Sequence, residues 1–144
     1  MKLSILDQTV AIANKCQDQV INDTLNLSTI AEELGYSRFW ISEHHNHPTI
    51  IGTAPEILMA AIAAKTNKIR IGSAGIMLPH YSSFKVAEQF RVLNSLAPNR
   101  IDLGLGRAPG SDGRTALALN SNNREFSENF PSHVRDLIAW VTNS

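Results

Sequence analysis

Four short apolar segments begin at Leu3, Phe39, Ile69 and Ile101, about 30 to 36 residues apart, and each is followed by a stretch with helical patterning. That interval is the length of a strand, a crossover helix and two loops. A chain with this period is confined to parallel strands, right-handed crossovers and helices over at least one face of the sheet. Leu3, Ile5 and Leu6 make the first strand, ended by Asp7-Gln8-Thr9. From about Asn14 to Leu34, Val20, Ile21, Leu25, Leu27, Ile30, Ala31 and Leu34 recur at helical spacing, and Gly35 stands where a left-handed cap belongs. Phe39-Trp40-Ile41 is the second strand. Thr53-Ala54-Pro55-Glu56 has the form of a capping box with proline in the first turn, opening a helix to about Lys65.

Ile69 to Ala74 is the third strand, shrinking into small residues as it ends near Gly75. The helix that follows, Ser83 to Leu96, sets Val86, Phe90, Leu93 and Leu96 on one face and is stopped by Pro98. Ile101, Leu103 and Leu105 alternate with Asp102, Gly104 and Gly106 as a fourth strand, which runs into a long Gly/Pro/Ser-rich loop before a closing helix from Phe130 to Val141. A chain of 144 residues supports one domain with a core, here expected over residues 1–144. Thirteen basic residues balance thirteen acidic ones, so no net field draws the chain onto nucleic acid or anionic lipid. The single Cys16 can form neither an internal disulfide nor a zinc cluster, and an early Asp7 does not suit a secretory signal, so the cytoplasm is the expected address. The apolar run Ile57 to Ala64 is far shorter than the roughly 20 residues of a membrane span.

Periodicity alone leaves half of a (β/α)8 barrel and a small doubly wound sheet both open. In either, ligands gather at the C-terminal ends of the strands, where three segments stand out. Glu43-His44-His45-Asn46-His47 places three histidines and a carboxylate after the second strand, suited to proton transfer or metal binding. A plain surface cluster is the alternative, as is a divalent ion on His45-x-His47. Gly72 to Pro79 lets a flat ligand lie against backbone, with Met77 and Leu78 as walls, although tight strand packing explains small residues equally well. Gly104 to Gly113 is glycine-rich with Arg107, a reasonable phosphate cradle that lacks the ending of a P-loop. His80 has two readings, a substrate contact or a solvated loop residue, and His133 is expected to be exposed. Asp102 could orient Arg100 or Arg107, or make a plain salt bridge.

Taken in order, Trp40 to His45, Gly72 to Pro79, Ala87-Glu88-Gln89-Phe90 and Asn99 to Gly110 resemble the luciferase-like flavin monooxygenase family. The resemblance implies the first four βα units of a (β/α)8 TIM barrel, a truncated parallel sheet covered by helices. It implies an oxidoreductase that uses reduced flavin mononucleotide (FMN) and oxygen on a small organic substrate. By position in the family motif, His44 would be the catalytic acid or base, with His45 also catalytic and Glu43 shaping the loop toward the cofactor. Ala74 and Gly75, where relatives can hold a cis peptide, would meet the flavin ring beside Met77, and Arg107 would take its phosphate.

Members of that family are full barrels, so half a barrel exposes two strand edges and an inner face. The expected partner is therefore another copy of the chain or a complementing C-terminal half. A non-catalytic, self-associating half-barrel and a metal-dependent hydrolase are the competing functions.

Overall fold

The computed structural model describes residues 1–142. In chain order the elements are β1 (Ser4–Asp7), α1 (Gln17–Glu33), β2 (Arg38–Ile41), α2 (Pro55–Lys65), β3 (Arg70–Ser73), β4 (Ile76–Met77), α3 (Ser83–Leu96), β5 (Ile101–Asp102), β6 (Leu105–Gly106), α4 (Gly113–Leu119), α5 (Asn123–Glu128) and α6 (Phe130–Thr142), with a 3-10 turn at Leu78–His80 between β4 and α3. The main sheet runs β1-β2-β3-β5 and all its pairs are parallel. Strands therefore follow one another in sequence order. A doubly wound sheet reverses direction at a switch point; this one does not, and it has the fold of the first four βα units of a (β/α)8 barrel.

Each strand presents one face to the helices. Phe39, Ile41 and Ile71 are completely buried there, against Leu58, Met59 and Ile62 of α2 and Val86, Phe90 and Leu93 of α3. The opposite face, which would be the inside of a barrel, carries Arg38, Trp40, Arg70 and Asp102. Asp102 accepts from Arg38 Nε at 3.1 Å, Arg70 Nε at 3.0 Å and Trp40 Nε1 at 3.2 Å, with a further pair to Arg70 Nη2. Burial alone would raise its carboxyl; the bonds from Arg70 and Trp40 outweigh that and hold it below the ordinary carboxylate range. The plain salt bridge is thus realised, but with partners that sequence reasoning did not name. Arg100 instead caps the end of α2, donating to Ala63 O, Thr66 Oγ1 and Ile69 O.

The first helix ends as its sequence predicts. Gly35 has φ of +79°, its N–H bonds Glu32 O and the Tyr36 N–H bonds Ala31 O, the paired bonds of a Schellman cap. Its buried stripe differs from the apolar one. Thr24 and Ser28 are buried beside Val20, Leu25 and Ala31, whereas Leu27, Ile30 and Leu34 are exposed. The reason is polar: Thr24 Oγ1 donates to Asp7 Oδ2 at 2.6 Å, which draws the small-residue side of α1 onto β1. Glu32, near the helix C-terminus where a negative charge opposes the dipole, accepts the N–H groups of Asn67, Lys68 and Ile69 and fixes the turn into β3. Those bonds hold its carboxyl below the ordinary range although burial opposes them.

Three other expectations need correction. Thr53 does not cap α2; the N-cap is Ala54, with Pro55 in the first turn and no side-chain bond. The loop after the fourth strand contains α4 and α5, because Asp112 accepts the N–H groups of Arg114 and Thr115 at 2.9 Å each and starts a helix that glycine content concealed. The third and fourth strands are each interrupted, so that β4 and β6 pair separately.

The interruption has a cause in packing. Ser73 Oγ donates to Gly104 O at 2.8 Å and accepts from Gly104 N at 3.1 Å, while Ile76 N donates to Gly104 O at 2.8 Å. The two backbones are so close that a Cβ on Gly104 would overlap Ser73 O and one on Gly75 would lie 2.7 Å from Leu105 C. Gly104→Ala must push the strands apart, and a loss of about 1–3 kcal/mol in unfolding free energy is expected. Urea denaturation of this variant beside Gly113→Ala, at a position with nothing within 4 Å, reads the difference.

Candidate active site

The segments after β2, β4 and β6 meet at one end of the sheet around a single carboxylate. Glu43 is fully buried. Its Oε1 accepts from His45 Nε2 at 2.6 Å and from the Tyr81 hydroxyl at 2.6 Å, and its Oε2 accepts the Met77 N–H at 2.9 Å. A carboxylate removed from water needs donors to replace its hydration; here they come from the histidine loop, from β4 and from the turn before α3. Burial, reinforced by the adjacent Glu43, pushes the Tyr81 phenol well above its usual range and keeps it a donor. Glu56 in the first turn of α2 is half-buried, and burial, with the Glu43 charge adding to it, raises its carboxyl above the ordinary range.

A second set of bonds lays the glycine-rich loop over this anchor. The His45 N–H donates to Gly110 O at 2.9 Å, and Asn46 Nδ2 donates to Thr115 Oγ1 at 3.0 Å. Asn46 and Gly110 have φ of +50° and +61°, left-handed conformations that suit Asn and Gly. The Met77 side chain lies between the glycines of this loop: a Cβ on Gly106 would stand 2.6 Å from its Sδ and one on Gly110 would stand 3.2 Å from its Cγ.

His80 is buried rather than solvated. Its Nε2–H donates to Pro109 O at 2.6 Å and its Nδ1 accepts from Asn123 Nδ2 at 2.9 Å, with the ring edge-on to His45 at 5.6 Å. Asn120 Nδ2 adds a bond to Pro79 O at 2.8 Å. His80, Tyr81, Asn120 and Asn123 were not singled out as site residues in the sequence. The available signal was Pro79-His80-Tyr81, directly after the third strand. His133, expected to be exposed, is partly buried and stacked on Phe126 at 4.4 Å.

Of the residues singled out in the sequence, Glu43, His45 and Met77 are therefore brought together. The Ala74–Gly75 peptide is cis and lies against the Gly104–Leu105 backbone. His44 is partly buried, its ring 6.5 Å from that of His47, and its Nδ1 is buried with no hydrogen-bond partner. Arg107 is exposed and donates from Nε to Ser127 O at 3.1 Å. The two histidines of the metal alternative have other partners. His45 Nε2 is bound to Glu43, His47 Nδ1 accepts from Thr49, and among the described residues no three His, Cys, Asp or Glu side chains gather around one point.

A sequence model described as luciferase-like monooxygenase matches residues 1–129. The chain belongs to the luciferase-like monooxygenase family. It is 45% identical over 141 residues to the N-acetyl-S-alkylcysteine monooxygenase of Bacillus subtilis, a match covering 98% of this chain and 42% of that protein. The solved structure of apo-MsnO8 superposes with a TM-score of 0.90 at 39% identity, over 97% of this chain and 42% of that one. The oxygenating constituent of 3,6-diketocamphane monooxygenase from Pseudomonas putida, solved in complex with FMN, shares the fold with a TM-score of 0.80 at 22% identity, over 96% of this chain and 37% of that one. The chain thus spans about two-fifths of the length of these relatives.

Two polar groups of the site are open to a phosphate-bearing cofactor. His44 Nδ1 is buried with no hydrogen-bond partner among the described residues, and among them the Arg107 guanidinium bonds only through Nε. The glycines add less to that fit, because Gly75 and Gly104 face each other's strands. For Glu43 the geometry gives a clear expectation. Glu43→Ala leaves the Tyr81 hydroxyl, His45 Nε2 and the Met77 N–H unpaired together and is expected to lower stability by on the order of 3–5 kcal/mol, since each buried unpaired group costs about 1–3 kcal/mol. Tyr81→Phe should cost about 1 kcal/mol, so chemical denaturation should rank the two variants widely apart.

Proposed function

We propose that the chain provides the catalytic loop and part of the cofactor site of a flavin-dependent monooxygenase acting on a small organic substrate. The observation that carries this reading is the buried, unpartnered Nδ1 of His44, held at the end of β2 by the Glu43-centred network. Bound FMN would supply the two-electron chemistry with oxygen that no side chain here can perform. His44 Nδ1 would hold or release a proton there. Glu43 and His45 fix the loop that carries it, Met77 would line the cofactor site beside the glycine-rich loop, and Arg107 would hold the phosphate through its Nη nitrogens, which have no partner among the described residues. The relative named for N-acetyl-S-alkylcysteine makes thioether-bearing substrates the first class to test.

Titration of oxidised and then anaerobically reduced FMN into the purified chain tests the cofactor site. Micromolar binding is expected, weakened about tenfold or more by Arg107→Ala through loss of charge-assisted bonds to phosphate. His44→Ala is expected to leave that phosphate dependence intact while abolishing turnover. No binding in either redox state would remove catalysis from this chain.

A partner completes the proposal. The β1 and β5 edges are open, and apolar side chains such as Leu6, Val10, Ile12 and Ile30 are exposed along the β1 side. Either a second copy or a complementing C-terminal half-barrel would cover them. Light scattering at micromolar concentration is expected to give a mass above the 15.8 kDa of one chain; a compact monomer would rule out self-association.

A further inference from the structure

The support of Arg107 converges on one buried histidine. Arg107 is held in two ways: its backbone by the loop that runs through Pro109 and Gly110, and its guanidinium by Ser127 O in α5. His80 touches both supports. Its Nε2–H donates to Pro109 O, two residues beyond Arg107, and its Nδ1 accepts from Asn123, the first residue of α5. The neighbouring Gly110 O is held separately by the His45 N–H. With both ring nitrogens used and only 6% of its surface exposed, the His80 ring is held between the loop and α5. Its other ring contacts are edge-on, to His45 at 5.6 Å and to Tyr81 at 6.0 Å.

We propose that His80 is a positioning residue that joins the glycine-rich loop to α5, sets where the Arg107 guanidinium stands, and thereby makes the site selective for phosphorylated flavin over its unphosphorylated form. The proposal rests on the reading of Arg107 as the phosphate ligand and adds the device that holds it. Removing the imidazole leaves Pro109 O only the Ser111 hydroxyl, 3.3 Å away, and leaves Asn123 Nδ2 without this acceptor, so the loop and α5 lose the tie that runs beneath the Arg107–Ser127 bond. Arg107 then loses its fixed distance from the rest of the site. The ring-binding part, built on Glu43 and Met77, keeps its own bonds.

The test compares affinities for FMN and for riboflavin in the wild-type chain, His80→Ala, His80→Gln, Asn123→Ala and Arg107→Ala, with amide hydrogen exchange at His45 as a cofactor-free readout. Wild type is expected to prefer FMN by at least about tenfold, the difference that charge-assisted phosphate bonds supply. His80→Ala should bring FMN affinity down to the level of Arg107→Ala with riboflavin affinity unchanged. It should also speed exchange at the His45 amide, whose acceptor is in the loosened loop. His80→Gln, which can still donate to Pro109 O, should recover part of the preference. Asn123→Ala removes only the surface-side bond, so it should show the same selective loss if His80→Ala does not fold. A preserved FMN-to-riboflavin ratio in both His80→Ala and Asn123→Ala overturns the proposal, and so does an equal loss of both ligands. No FMN binding by the wild type, or a preference that survives Arg107→Ala, overturns the underlying reading of Arg107 and this inference with it.

Discussion

The Glu43 carboxylate is the interaction on which the active-site end of this half-barrel depends. Three chain segments that the fold brings near one another only at their tips, the loop after β2, strand β4 and the turn before α3, are bound to its two oxygens. Such an anion is costly to bury, and the same cost gives it its organising power: removal of any donor exposes an unmet charge, so the arrangement tolerates little drift. It depends in turn on the interrupted strands. Met77 can reach Glu43 through its backbone N–H because β4 and β6 continue as a separate pair beyond the break at Ala74–Gly75 and Gly104. The break is filled by the Ser73 hydroxyl, which does for Gly104 what a ladder bond would have done.

Away from that end the chain is organised differently. The helix-facing side of the sheet is a conventional apolar layer, while the inner face carries two arginines that share Asp102 beside Trp40. Gly72 belongs to this arrangement, since a Cβ there would strike the Trp40 ring and Asp102. A polar layer is compatible with an open sheet because its charges are partly solvated and paired with one another. It also sets a condition on whatever closes the barrel, which must meet Arg38 Nη groups that have no protein partner among the described residues.

Much of the fold was legible in the sequence because βα units announce themselves twice, by apolar runs of strand length and by helical spacing between them. The Schellman cap at Gly35 was readable for the same local reason. What sequence could not show was interaction between distant segments. Thr24 and Ser28 look like interruptions of an apolar face until Asp7 is placed opposite them. Asp102 looks like a partner for the nearby Arg100, whereas the sheet register sets it beside Arg70 and Arg38 from the neighbouring strands. Glycine content hid α4, where the signal was Asp112 three residues before Thr115.

The candidate site divides along the same line. Glu43, His44, His45 and Met77 were visible because chemistry-bearing residues cluster at the end of a strand. Tyr81 was not, and His80 was read only as a substrate contact or a solvated residue, since their importance comes from what they touch 38 and 29 residues away. The glycines carried a double meaning in sequence, a surface for a ligand or a surface for backbone. At Gly75 and Gly104 the structure assigns the backbone role, with each glycine occupied by the opposite strand. At Gly106 and Gly110 the space is taken by Met77. The cofactor case therefore stands on the buried, unpartnered His44 Nδ1, and on the exposed Arg107 guanidinium, rather than on empty room. Unmet buried hydrogen bonds cost free energy in the unliganded chain, and a ligand that meets them recovers that cost as affinity.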